Sequence, residues 1–267
     1  MKVKLINGLS QVQGKYDAFF IDIWGVIHDG IKLYSGAVEV LENLNKLNKR
    51  FILMSNAPRP SKTVEKFLLN LKLNKIFAKN VFTSGEAALK SLQNNLFGKN
   101  FYHLGPERDH VLFKGLEKNK KNLEDSDFIL CTGLFEKYEN NLNYYKELFK
   151  NKISKKMICT NPDLIVDRGN SREYCAGMVA KIFEEIGGKV DYFGKPYPLV
   201  YNLSADIKNK RILCIGDNLN TDIKGANVQS FDSLLVTNGI HKKEILEAEL
   251  NQVLKKYKVN VDYIQKN

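Results

Sequence analysis

Short apolar runs alternating with helical patterns are the feature that most limits what this chain can fold into. Phe51–Met54 and Ile212–Ile215 are apolar on both faces, which is typical of strands buried on both sides of a parallel sheet. Between such runs, apolar residues recur every three or four positions, as in 64–71, which predicts amphipathic helices. The other predicted strands of this kind are Tyr16–Ile21, Val81–Phe82 and Leu234–Val236. Strands alternating with helices indicate a doubly wound α/β fold.

The middle of the chain has a pattern of its own. Three further strands are predicted at Phe101–Leu104, Phe128–Leu130 and Met157–Cys159, separated by polar stretches rich in Lys and Asn. We therefore expect a second, smaller α/β unit inserted into the first. The last part of the chain, 245–254, is predicted to be one helix followed by a short tail.

Two helix starts carry a local signal. Ser61 is a candidate N-cap for the helix that follows it. Thr83 and Glu86 have the spacing of a capping box, in which the Thr side chain accepts a hydrogen bond from the Glu backbone N–H. Each of these signals predicts where a helix begins.

Composition excludes several classes of protein. The 267 residues are 27% charged and 43% hydrophobic, an ordinary globular balance that excludes a wholly disordered chain. Lys and Arg number 41 against 30 Asp and Glu, which gives a formal net charge of +11 at pH 7. All but six of these cations are Lys and they are scattered, which favours a solvated exterior over a nucleic-acid surface. We expect a positive field that favours anionic substrates, and no nucleic-acid partner.

The sequence also predicts the compartment. No run approaches the ~18 apolar residues of a membrane span, and the N-terminus has no apolar stretch of signal-peptide length, so we expect a cytoplasmic protein with no membrane partner. The four cysteines form no C-x-x-C pair, and we expect them to be reduced thiols, mostly in the core. They are Cys131, Cys159, Cys175 and Cys214.

Four segments place polar side chains where apolar runs end. They are FFIDIWGVIHDG with Asp22, FILMSNAPRP with Ser55 and Asn56, FGKPYP with Lys195, and ILCIGDNLNTDIKGA with Asp217 and Asp222. In open α/β sheets, ligands bind at the carboxyl ends of the strands, so these side chains are candidates for one site.

This set of groups fits metal-assisted phosphoryl transfer. A carboxylate can act as a nucleophile and form an acyl phosphate. Two carboxylates with a carbonyl and waters suit octahedral Mg²⁺. A hydroxyl, an amide and an ammonium can hold the oxygens of the transferring group. The expected chemistry is therefore metal-assisted transfer of a phosphoryl group.

The order of these motifs carries a specific resemblance. Asp-x-x-Gly-Val, apolar-Ser-Asn, Gly-Lys-Pro and Gly-Asp-x-x-x-Thr-Asp follow one another as in the haloacid dehalogenase (HAD) superfamily. The Gly-Lys-Pro, the long insertion, TSGEAAL at 83–89 and CTNPD at 159–163 resemble its subfamily IIA, the NagD-like phosphatases. The resemblance runs from about Tyr16 to Gly239.

The resemblance implies a HAD-type core with a Rossmann-like parallel sheet and an α/β cap of the C2 type. We predict the core at 1–97 and 189–267 and the cap at 98–188. The implied activity is Mg²⁺-dependent hydrolysis of a small phosphorylated metabolite, a sugar phosphate or a nucleotide monophosphate, through an aspartyl phosphate. Caps of this type often contribute to dimer contacts in the family, so a homodimer is one possible oligomeric state.

The resemblance also implies a role for each site residue. Asp22 would be the nucleophile, and the metal would be held by Asp22, the Trp24 carbonyl, Asp217 and, in an outer position, Asp222. Ser55 and Asn56 would bind phosphate, and Lys195 would bridge Asp22 and phosphate. Asp222 follows Thr221 at a predicted helix start, so a capping role is an equal alternative.

Two further residues are candidates for substrate binding. Arg168 lies in the insertion, and arginine is scarce here and suited to bidentate contact with anions; a solvated loop charge is the alternative. Trp24 stands where phosphatases of this superfamily usually have Asp, the group that protonates the leaving group. Indole is a donor only and does no acid–base work.

That departure leaves alternatives to an ordinary phosphatase. One is a HAD hydrolase acting on another bond, as dehalogenases and phosphonatases do. Another is a module that binds phosphometabolites without turnover. His28, in the same loop, is a candidate substitute base; the other interpretation makes it an exposed loop residue before a turn at Asp29-Gly30.

Overall fold

A computed structural model describes residues 3–168 and 171–266. Its strands are β1 Lys4–Ile6, β2 Ala18–Asp22, β3 Arg50–Ser55, β4 Val81–Thr83, β5 Phe101–Leu104, β6 Phe128–Cys131, β7 Lys156–Cys159, β8 Ile165–Arg168, β9 Ser171–Tyr174, β10 Lys189–Tyr192, β11 Ile212–Gly216, β12 Asp232–Val236 and β13 Tyr263–Gln265. Its helices are α1 Ser35–Lys46, α2 Ser61–Asn70, α3 Lys75–Ala78, α4 Ser84–Gln93, α5 Leu142–Phe149, α6 Ala176–Glu185, α7 Pro198–Ser204, α8 Lys224–Val228, α9 Lys242–Glu247 and α10 Leu250–Tyr257.

The first sheet has seven strands in the order β1-β13-β12-β11-β2-β3-β4, and the pairs from β1 to β3 are parallel. Its central strand β11 is buried along its whole length, and Phe19 and Ile21 of β2 are buried as well. Burial on both faces explains why these strands are continuous apolar runs rather than alternating ones. The predicted doubly wound parallel core is confirmed.

The second sheet has four parallel strands in the order β10-β7-β6-β5, and β8 pairs with β9 in a separate antiparallel hairpin. Helices α5 and α6 supply Tyr145, Phe149, Val179 and Phe183 to the core packed on this sheet. The three strands predicted in the middle of the chain are confirmed as β5, β6 and β7. The predicted second α/β unit therefore has its own sheet and its own core.

Contacts divide the chain into two compact units. The first contains the described residues up to 55, 65–82 and those from 195 on; the second contains 56–64 and 83–194. These limits differ from the predicted cap at 98–188 on both sides. Lys189–Tyr192 pairs with β7 and so lies in the second sheet, although a core position was predicted for it. The predicted limits stay a prediction.

Helix α4 begins where the sequence predicted. The Thr83 side chain accepts a hydrogen bond from the Glu86 backbone N–H at 2.9 Å. The second half of a capping box is replaced, because the Glu86 carboxylate accepts from the Ser61 N–H at 3.0 Å and the Ser61 hydroxyl accepts from the Thr83 N–H at 3.2 Å. These three residues therefore fix the starts of α2 and α4 together.

The predicted single C-terminal helix and tail are wrong. Ala248 is extended between α9 and α10, and Lys258 ends α10 in the left-handed region at φ 55°. The tail then alternates Val259, Val261 and Tyr263 toward the core, and this leads into β13, which pairs with both β12 and β1. The short β1 and the β8–β9 hairpin were not predicted either, because runs of three or four residues carry little periodicity.

All four cysteines are buried free thiols, as predicted. Among the described residues, no helix is long and apolar enough to cross a membrane. A cavity of about 650 Å³ in the first unit lies between the sheet and α1, over Ile21, Ile215 and Leu234.

Candidate active site

The strand ends of the first unit bring predicted site residues together. Asp22 is the last residue of β2 and lies opposite Met54 in the parallel register with β3. Ser55 is the last residue of β3, and Asp217 directly follows β11, the other neighbour of β2. Three adjacent parallel strands thus end at one edge with Asp22 on the middle strand, as the sequence predicted.

Lys195 joins two of the carboxylates. Its Nζ donates to Asp22 Oδ1 at 2.5 Å, to Asp222 Oδ1 at 2.6 Å and to the Met54 carbonyl at 3.2 Å. The Lys195 side chain is 5% exposed, and its two acidic partners are 10% and 4% exposed. Burial alone would lower the pKa of Lys195, but the charges of Asp22 and Asp222 raise it above its ordinary value, so the ammonium stays protonated.

Three carboxylates form a cluster. Asp22, Asp217 and Asp222 each offer an oxygen within 4.8 Å of the others. Burial raises the pKa of Asp22 well above its usual value; the Lys195 charge opposes this, and Asp222 and Asp217 add to it. Burial, and then the Asp222 charge, raise the pKa of Asp217 to about 7, while a hydrogen bond from the Ile240 N–H opposes the shift.

This donor set fits a divalent cation. Burial and mutual repulsion raise the pKa values of Asp22 and Asp217, and a hard cation with oxygen ligands would favour the ionised carboxylates. The space around Asp217 is kept open by glycines. A Cβ at Gly25, where φ is +84°, would lie 2.5 Å from Asp217 Oδ2, and one at Gly239 would lie 1.8 Å from it.

The orientation of Asp217 depends on residues that sequence reasoning missed. The Ile240 N–H donates to Asp217 Oδ2 at 2.9 Å. Ile240 and Gly239 lie in the loop after β12, another strand of the same sheet. The only signal in the sequence was that Thr237–Ile240 follows the end of a predicted strand. A backbone N–H donor cannot be recognised from the residue type.

The N-cap expected as one role of Asp222 is taken by Asn218 instead, and the expected outer position of Asp222 at a metal stays a prediction. Asp222 lies in the helical turn Leu219–Ile223, where its Oδ2 accepts from the Asn218 N–H at 3.1 Å. Its Oδ1 pairs with Lys195. The cap of the turn is Asn218, whose side chain accepts from the Asn220 N–H. Asp222 therefore fixes the loop after β11 and holds Lys195 at the same time.

Trp24 and His28 pack against each other in the loop after β2. Their ring centroids are 5.1 Å apart in an edge arrangement. His28 is 2% exposed, its Nδ1 accepts from the Gly30 N–H at 2.8 Å, and burial lowers its pKa to about 4. The expected exposed loop position is wrong for His28, whereas the turn is present: Asp29 Oδ1 accepts from the Ile31 and Lys32 N–H groups.

Asn56 belongs to the second unit and contacts residues of that unit. Its Nδ2 donates to Asp163 Oδ1 at 3.1 Å, and Asp163 accepts this bond in a turn closed by Asn161. A Cβ at Gly194 would lie 2.7 Å from Asn56 Oδ1. Arg168 ends β8, and its side chain lies outside the described part of the structure.

The fold and this centre define a class: α/β enzymes with a doubly wound parallel sheet, an inserted α/β unit and buried carboxylates at the strand ends. The family model of the haloacid dehalogenase-like hydrolases matches residues 19–118, and a second HAD-hydrolase-like model matches 192–262. The chain belongs to the haloacid dehalogenase-like hydrolases, and the predicted resemblance to subfamily IIA is confirmed.

Curated relatives and solved structures agree with this assignment. Phosphoglycolate phosphatase 1A of Arabidopsis thaliana is 25% identical over 283 residues, covering 95% of this chain and 77% of the relative. An acid sugar phosphatase of Staphylococcus epidermidis is 26% identical over 243 residues, covering 88% and 91%. A haloacid dehalogenase-like hydrolase of Brucella suis superposes with a TM-score of 0.79 at 29% identity, covering 88% of this chain and 90% of that one.

Proposed function

We propose that this protein is a Mg²⁺-dependent phosphatase that hydrolyses a small phosphorylated metabolite through an aspartyl phosphate on Asp22. The observation that carries the proposal is the buried group formed by Lys195 with the carboxylates of Asp22, Asp217 and Asp222. Relatives named as phosphoglycolate phosphatase and acid sugar phosphatase support the reaction class. A sugar phosphate or a nucleotide monophosphate is the substrate class that we propose.

Asp22 is the proposed nucleophile. Its carboxylate attacks phosphorus, the bond to the leaving oxygen breaks, and water then hydrolyses the acyl phosphate to restore the carboxylate. Lys195 favours the ionised form of Asp22 and lowers the electrostatic cost of bringing a phosphate dianion close to it.

The metal site that we propose uses Asp22, Asp217 and the Trp24 carbonyl as ligands, with Asp222 in an outer position. A bound Mg²⁺ would supply positive charge that offsets the carboxylates and the transferring phosphoryl oxygens. The Ile240 N–H keeps Asp217 oriented for this role.

For phosphate and substrate binding, we propose Ser55, Asn56 and Arg168, with the side chain of Trp24 as a further contact. The hydroxyl at the end of β3 is next to the strand that ends in Asp22, which supports Ser55 as a phosphate ligand. Asn56 follows it in the chain, and its amide is already oriented by Asp163. The proposed role of Arg168 is supported only by its chemistry, because a guanidinium can make bidentate contact with an anion. A cytoplasmic location and a homodimer stay predictions.

The test is phosphate release from an aryl phosphate and from a panel of sugar and nucleotide monophosphates, with Mg²⁺ and with chelator. Asp22→Asn is the essential control, because it keeps the shape of the side chain and removes the nucleophile. Release that needs the metal and falls by at least about 10³-fold in the variant supports the proposal. Equal activity of Asp22→Asn would contradict it.

A further inference from the structure

The cavity between α1 and the first sheet is larger than a packing defect. Its volume is about 650 Å³. Protein interiors leave few voids larger than a water molecule, whereas sites for small molecules are concave and measure about 300–1,000 Å³. The floor of this cavity is formed by Ile21, Ile215 and Leu234, which come from three neighbouring strands. Its size and its aliphatic floor are those of a site for an apolar molecule.

Helix α1 forms a wall of the cavity and leaves it open at its first turn. Ala37, Val40 and Leu41 line the cavity, and their spacing of three and four residues places them on one face of the helix. Gly36 also lines it, and a Cβ at Gly36 would meet no atom within 4 Å beyond its own stretch of backbone. The small residues at the start of α1 therefore leave room for an occupant.

The rim of the cavity carries positive charge. Lys32 and Lys266 line it and are both exposed, and no Asp or Glu is among the lining residues in the part of the chain that the structure describes. Asp29 precedes Lys32 in the chain, but its carboxylate accepts from two backbone N–H groups of its own turn. Asn7 and Gln265 add amide groups to the lining. An aliphatic floor below a cationic rim is complementary to an apolar chain that ends in an anion.

The cavity lies beside the carboxylate cluster without sharing its residues. Gly25 and Asn238 line the cavity, and none of the proposed site residues is among its described lining. Gly25 is so close to Asp217 that a Cβ there would lie 2.5 Å from Oδ2, and Asn238 precedes by two residues Ile240, whose N–H donates to Asp217. An occupant would therefore border both loops that hold Asp217.

We propose that this cavity binds a free fatty carboxylate, with its alkyl chain on the aliphatic floor and its carboxylate beside Lys32 and Lys266. An alkyl chain fits better than an aromatic body because the floor and the α1 wall are aliphatic, and Tyr34 is the one aromatic residue in the described lining. Each methylene that is buried should strengthen binding by up to about fourfold. The proposal concerns a second site and does not rest on the phosphatase function.

The test is isothermal titration calorimetry of octanoate, decanoate and dodecanoate, each below its micelle concentration, with the full chain. We expect saturable binding of one molecule per chain, with a Kd that falls by up to about 15-fold for each two methylenes added. Decylammonium is the matched cation, and we expect it to bind at least about 10-fold more weakly than decanoate. Equal binding of decanoate and decylammonium, or no saturable binding of any of the three carboxylates, would overturn the proposal.

Variants locate the bound chain. Ala37→Phe fills the cavity from α1 and should weaken decanoate binding at least about 10-fold. Lys32→Gln combined with Lys266→Gln should weaken it about fivefold or more, because two cations are lost from the rim. Lys46→Gln is the matched control, since Lys46 is exposed on α1 outside the lining, and it should leave the Kd unchanged. Circular dichroism checks the fold of each variant, and the lysine pair decides if Ala37→Phe does not fold.

Two results would place the carboxylate elsewhere and overturn the proposal. One is a native Kd for decanoate in both the folded Ala37→Phe protein and the double lysine variant. The other is displacement of decanoate by excess inorganic phosphate, because the ligand would then occupy the proposed phosphate site. Neither result bears on whether Asp22 is a nucleophile, which phosphate release from the Asp22→Asn protein tests separately.

Discussion

At the scale of single residues, Lys195 neutralises two carboxylates that the fold has removed from water. Its ion pairs with Asp22 and Asp222 are almost completely buried. Taking one member out of such a group leaves uncompensated charge in a low-dielectric environment, which costs more than the pair contributes when it is intact. Lys195 therefore bears on stability as well as on the proposed chemistry.

Lys195→Met should lower the free energy of unfolding by about 3–5 kcal/mol at pH 7, because both carboxylates lose their cation. Lys156→Met is the matched control, since Lys156 pairs with Asp191 while both side chains are more than 40% exposed. That change should cost less than about 1 kcal/mol. Urea unfolding of the three proteins measures the difference, and equal losses in both variants would contradict the account.

At the scale of elements, the start of α4 depends on one hydroxyl. Thr83 is fully buried; its Oγ1 accepts from the Glu86 N–H and donates to the Arg59 carbonyl at 2.5 Å. Thr83→Val keeps the shape and removes both bonds, so we expect a loss of about 1–2 kcal/mol. Thr63→Val, inside α2, should change stability by less than about 0.5 kcal/mol.

Urea unfolding and hydrogen exchange of the α4 amides measure these two changes. Faster exchange confined to the first turn of α4 in Thr83→Val is the expected signature. An exchange pattern that does not change would mean that the cap contributes nothing to the helix.

Which elements the sequence predicted correctly depended on how much local signal each one carried. The long apolar runs of β2, β3 and β11 and the cap at Thr83 were readable because they are periodic or have a fixed spacing. Strand β13 could not be predicted, because its three residues gain their hydrogen bonds only when β12 and β1 are in place. Its placement is therefore a tertiary effect.

The site divides in the same way. Asp22, Ser55 and Asp217 were predictable because each polar residue ends an apolar run at a strand end. The backbone donor of Ile240 could not be predicted, because a backbone N–H has no side-chain signature. The burial of His28 could not be predicted either, because it depends on Phe67, which is distant in the sequence.

At the scale of the whole molecule, buried histidines make stability depend on pH. His103 is 4% exposed, and burial, with smaller contributions from His110 and Lys120, lowers its pKa to about 3. Below the ordinary value near 6.5, the unfolded chain binds a proton that the folded chain does not. Stability should therefore fall as the pH is lowered from about 6.5 toward 3, by at most about 1.4 kcal/mol per pH unit for this group.

His103→Gln removes the titrating ring while an amide can still bond to Thr132, the partner of His103 Nε2 at 2.9 Å. Urea unfolding at pH 7.5, 6.5, 5.5 and 4.5, points chosen as about one-unit steps across this window, measures the effect. The variant should lose less stability than the native protein as the pH falls. Parallel curves for the two proteins would refute this assignment.

The central claim is that Asp22 becomes phosphorylated. The most direct measurement is the intact mass of the protein after rapid acid quench during turnover of an aryl phosphate, followed by mapping of the modified peptide. We expect one added phosphoryl group on the peptide that contains Asp22, and none in Asp22→Asn. Turnover with no phosphorylated protein, or with the phosphoryl group on another residue, would contradict it.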